Sequence, residues 1–168
     1  MIIMVIYAVI SFLLDGLFSN FIAFGLVNPS LFRTIFTVIS LVIMFNFFDN
    51  DKKYLAILLI LGILYDVVYT NTFLLNIFLF LIIYFVLDKI NYFMPNNLFT
   101  INVKVLLMIS IYHIFTYLIL MISNYNFYPI NLLWNILYHS IITTVIYSSI
   151  SYLIIKKLYF KIFDKKIK

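Results

Sequence analysis

From Gly62 to Lys89 the chain carries two apolar runs separated by only three polar residues, Thr70-Asn71-Thr72. The first run holds a carboxylate, Asp66, and the second an amide, Asn76. Two such runs joined so tightly read as a helical hairpin, because each is close to the ~20 apolar residues that cross ~30 Å of hydrocarbon. Water is the wrong solvent for it. The chain is 66% hydrophobic and 10% charged, against about half apolar and a quarter charged in soluble domains. A soluble fold of 168 residues has too little interior to hide that surface.

Four further segments fit the same template or come near it. The expected spans are about 2–24, 31–48, 54–70, 72–88, 104–123 and 131–155, within a single domain 1–155. The fold class is an all-α membrane protein, a six-helix transmembrane bundle. The first span is not a cleavable leader, for it lacks a basic start and is interrupted by Asp15. Asn28 and Pro29 suit the entry to the second span, where proline's missing N–H costs nothing. A connection of about 89–103, with Pro95, Asn96 and Asn97, precedes the fifth span.

Lysine placement orients the bundle. With six spans and a cytoplasmic tail, both termini lie inside. The inner side then carries Lys52, Lys53, Lys89, Lys104 and six lysines after residue 155, while the outer side carries only Arg33. Six of the eleven basic residues fall in 156–168, a basic amphipathic tail that favours anionic lipid over nucleic acid as partner. The tip at Thr70–Thr72 faces outward. Asp66 lies ~18 Å along its helix at 1.5 Å per residue, and Asp15 lies at a similar depth.

A carboxylate inside a span costs several kcal/mol, roughly, unless paired, hydrated or neutral. Three roles stay open for Asp15 and Asp66. They hold helices in register by hydrogen bonds, they face an outward polar cavity and contact a ligand or partner, or they relay protons. Asn131 and Asn135 are placed to meet the Asp66–Asn76 tip. Ser140, Thr144, Ser148 and Ser151 form one stripe of the last span that permits close helix approach. His113 and His139 make no metal site by themselves, and with no cysteine in the chain no metal or cofactor is expected. There is no Glu, no H-E-x-x-H and no G-x-S-x-G, and only three glycines. These absences argue against an enzyme.

Three places resemble the rod-shape-determining protein MreD family of the bacterial cell-elongation machinery. Val27-Asn28-Pro29-Ser30-Leu31 resembles that family's Pro-centred entry to its second span, with Ser30 where an acid is usual. Gly62-Ile63-Leu64-Tyr65-Asp66, followed by Leu74-Leu75-Asn76, resembles its Gly-x3-Asp hairpin, with Thr70, Asn71 and Thr72 where glycines and small residues are commoner. Pro129 with Asn135 resembles the Pro and Asn of its last span. The resemblance implies a non-enzymatic multi-pass scaffold of the bacterial inner (cell) membrane. Its implied partners are an MreC-like bitopic protein, MreB filaments and peptidoglycan synthases. Asp15, Pro29, Gly62, Asp66, Asn76 and Asn135 are then packing or partner-contact residues. The competing class is the substrate-binding S component of an energy-coupling-factor vitamin transporter, similar in length, span count and overall fold. Against it, Ala8 and Ala23 do not form the Ala-x3-Ala docking pattern of that class.

Overall fold

The computed structural model describes residues 2–23, 34–48, 51–70, 74–122 and 130–166. These form six helices: α1 (Ile2–Ala23), α2 (Phe36–Phe45), α3 (Asp51–Tyr65), α4 (Leu75–Phe93), α5 (Leu98–Ile122) and α6 (Ile130–Lys166). α3 continues without a break into a π-helical segment, Asp66–Thr70. Consecutive helices pair as α1–α2, α3–α4 and α5–α6, and α2 also packs on α5 and α6.

Four stretches are long and apolar enough to cross a membrane: Asp51–Thr70, Leu75–Phe93, Leu98–Ile119 and Leu133–Lys161. α1 and α2 contribute the shorter apolar helices Ile3–Leu17 and Phe36–Phe45. α2 is the shortest helix and the most enclosed. Every residue from Phe36 to Met44 is buried, so it serves as the core around which the longer helices stand. Apolar side chains cover much of the outside, among them Ile6, Ile10, Leu13, Ile60, Phe85 and Ile142, all at least half exposed.

The second-span reading of 31–48 was longer than the described helix, because Thr34 precedes α2 and Ile35 is an extended N-cap (φ −100°, ψ 93°). The entry motif around Pro29 lies outside the described residues. The connection expected over 89–103 is mostly helix, with only Met94–Asn97 between α4 and α5. Thr100 explains the early start of α5. Its hydroxyl accepts from Asn97 N (3.0 Å), as the N3 side chain of a capping box does, and donates toward Asn97 O (2.9 Å). The tail continues α6 unbroken to Lys166.

Gly62 sets the spacing of α3 and α4. A Cβ there would lie 2.9 Å from Ile77 Cα and 3.1 Å from Ile77 N, so a backbone and not a pliable side chain would have to move. Overpacking of this kind costs about 1–3 kcal/mol, against about 1 kcal/mol gained from better helix propensity. Gly62→Ala is therefore expected to lower the thermal midpoint slightly and Gly62→Leu severely. Fluorescence-detected size-exclusion after a temperature series reads both. Equal midpoints for Gly62→Leu and the parent chain would refute the close approach.

Candidate functional site

Helix starts leave backbone N–H groups without partners, and hydrocarbon supplies no water to satisfy them. α2 and α4 face this problem with poor N-cap residues, Ile35 and Leu74, neither of which makes a side-chain cap bond. Asp, Asn, Ser or Thr is the usual solution. Here the carboxylate comes from the preceding helix instead.

Asp15 of α1 takes Phe36 N on Oδ1 at 2.7 Å, and on Oδ2 both Thr37 N at 2.9 Å and Thr37 Oγ1 at 2.5 Å. Asp66, at the end of α3, takes Asn76 N at 3.0 Å on Oδ1 and 3.2 Å on Oδ2. It also takes Asn76 Nδ2 on Oδ1 at 2.9 Å. Each carboxyl sits where the helix dipole is positive, which favours its ionised form. The two carboxylates are 7% and 3% exposed. Both therefore bind helix starts and are not displayed to an open cavity, which favours the register-holding role among the three left open.

The Asp66 cluster reaches a third helix. Asn76 Oδ1 accepts from Tyr112 OH of α5 at 2.6 Å, and Thr70 Oγ1 accepts from Asn76 Nδ2 at 3.0 Å. A single polar knot thus ties α3, α4 and α5. Its local backbone is irregular on both sides. The π segment begins at Asp66 itself, and such segments recur at functional positions in helices. Leu74 adopts a left-handed conformation (φ 62°, ψ 4°), which costs a non-glycine residue about 1–2 kcal/mol. Tyr69, inside the π segment, donates to Phe12 O of α1 at 2.6 Å. It fits because Gly16 has no Cβ, which would lie 2.6 Å from the Tyr69 hydroxyl.

Lys104, expected at the inner end of the fifth span, is a buried residue of α5. Its ammonium lies among Asn46, Asn91, Met94 and Asn96, at the C-terminal ends of α2 and α4. Cations belong at that pole of the dipole. The buried charges Asp15, Asp66 and Lys104 thus all come from odd-numbered helices and all sit at ends of even-numbered ones.

The remaining expectations divide. Ser140, Thr144, Ser148 and Ser151 are all buried, so the stripe faces inward. Ser148 Oγ donates to Asn102 Oδ1 of α5 at 2.6 Å. Tyr147 OH pairs with Ser11 of α1 at 2.9 Å, and Thr143 pairs with Thr34. Asn131 and Asn135 are exposed on α6 and are not among the partners of the Asp66–Asn76 cluster described above, where Tyr112 supplies the contact from outside the hairpin. His113 is buried beside Tyr112, while His139 is exposed. Among the described residues no group of three His, Cys, Asp or Glu could hold a metal ion. Sequence reading missed Lys104, Tyr112 and the Gly16–Tyr69 contact. The available signal was the density of asparagine around the α4–α5 turn. No protein-family model, curated protein or solved structure matches the chain.

Proposed function

We propose that this chain is a non-enzymatic, MreD-like component of the bacterial cell-elongation machinery. On this reading it crosses the inner membrane six times with both termini in the cytoplasm. It scaffolds lateral peptidoglycan synthesis together with an MreC-like bitopic protein, MreB filaments and peptidoglycan synthases.

The observation that carries the reading is the α3–α4 hairpin. Gly62, Asp66 and Asn76 are the residues on which the family likeness rests most heavily, and they converge on one structural task. Gly62 brings the two helices together, and Asp66 then caps α4 through Asn76. A scaffold needs such a fixed hairpin more than it needs a displayed acid. Even without the buried Lys104, this arrangement puts nine basic residues on the inner side against Arg33 on the outer, which supports the orientation under the positive-inside rule.

Affinity purification of the full chain in mild detergent from its native cells tests the role. An MreC-like single-span protein is expected in the eluate. Recovery of an ATPase-coupled energising module in its place would transfer the assignment to the transporter S-component class.

A further inference from the structure

Lys104 is 1% exposed, and its surroundings resemble an ion site more than an ion pair. Nζ lies 2.5 Å from Asn91 Oδ1, 2.9 Å from Asn96 Oδ1, 3.3 Å from Met94 O and 3.4 Å from Asn46 Oδ1. An ammonium has three N–H groups, so it reaches four oxygens only by sharing one N–H between two of them. The oxygens thus surround the charge in greater number than its donors, as oxygens do around a metal ion. All four ligands are neutral.

Two of the ligands mark helix ends. Asn46 is the C-cap of α2 and Met94 the C-cap of α4, where the carbonyl dipoles converge on negative potential. Membrane proteins coordinate monovalent cations with helix C-terminal ends and unwound carbonyls, and carbonyl oxygens can replace such an ion's hydration shell. The cage also has its own supports. Asn46 Nδ2 donates to Val42 O at 2.7 Å, which turns its oxygen toward the lysine. Met94 N donates to Ile90 O at 3.0 Å, and Tyr152 OH donates to Asn96 O at 3.0 Å. These bonds do not involve Lys104.

We infer that these four oxygens form a monovalent-cation site which Lys104 fills with its own tethered ammonium. Removing the side chain opens the site to a free alkali cation. Neutral ligands set the class, because divalent ions are held by sets that include carboxylates. The tethered charge makes the inner end of the bundle independent of the ions around it.

The test uses the purified full chain in detergent, in N-methylglucamine chloride, NaCl or KCl at equal ionic strength. The parent chain is expected to melt at the same temperature in all three salts. Lys104→Ala is expected to melt roughly 5–10 °C lower in the organic cation and to recover at least half of that loss, saturably, in NaCl or KCl. Adding Asn96→Ala to Lys104→Ala should raise the half-saturating salt concentration several-fold, whereas general salt effects would not move it. Lys104→Met, which fills the space without charge, should be indifferent to the cation. An identical loss for Lys104→Ala in all three salts overturns the inference. If Lys104→Ala is folded only when membranes are solubilised in KCl or NaCl, the inference stands. If it is unfolded in every salt, no ion replaces the ammonium and the inference fails.

Discussion

Asp15→Ala is expected to lower the melting temperature of the purified chain by roughly 10 °C. The substitution leaves the Phe36 and Thr37 N–H groups and the Thr37 hydroxyl without their common acceptor, inside a segment that is buried from Thr34 to Met44. Each orphaned donor costs about 1–3 kcal/mol, so three cost at least about 3 kcal/mol, a large share of a typical stability of about 5–15 kcal/mol. A chain of this length loses about 2–4 °C for each kcal/mol. Asp15→Asn keeps one acceptor oxygen but turns an NH2 toward backbone donors, so it should fall between Ala and the parent. A thermal series read by size-exclusion checks the order. An Asn variant as damaged as Ala would mean that charge at the helix start outweighs the hydrogen bonds.

Asp66→Ala is expected to abolish the proposed cell-shape role while the protein still inserts in the membrane. Apolar length drives insertion, and it is unchanged. What is lost is the cap on α4 and the hold on Asn76, and with it the tie from Asn76 to the buried Tyr112 of α5. The left-handed Leu74 then has no Asp66 cap beside it to offset its cost. Cells expressing the variant at native levels, confirmed by immunoblot of membranes, should lose their elongated form. Normal elongated growth at matched levels would show that the cap is dispensable for the role. Asp15 and Asp66 each act on a different even helix, so their stability effects should add unless α2 and α4 unfold together.

The helical, membrane-suited character of the chain was readable from its apolar runs. So was the need of Asp66 for hydrogen-bond partners, because a carboxylate in an apolar run must find them. The partners themselves were not readable. Asp15 bonds to backbone groups 21 and 22 residues away, and backbone N–H groups leave no mark in a sequence. The surroundings of Lys104 were hidden because lysine and asparagine are ordinary signals of a loop or a helix end. Only the folded geometry shows that Asn46, Asn91 and Asn96 turn their oxygens onto one ammonium. Tyr112 hid among many aromatic residues, which make up 20% of the chain. Asn135 drew attention by type, yet it lies exposed on α6.

Amide hydrogen exchange, read residue by residue in the parent chain, Asp15→Ala and Asp66→Ala, tests most directly whether the buried carboxylates are helix-end caps. In the parent, the Phe36, Thr37 and Asn76 amides should be protected although they occupy first-turn positions that ordinarily exchange fast. Asp15→Ala should release Phe36 and Thr37 and leave Asn76 protected, and Asp66→Ala should do the reverse. Fast exchange at all three amides in the parent, or no change at them in either variant, would contradict the account.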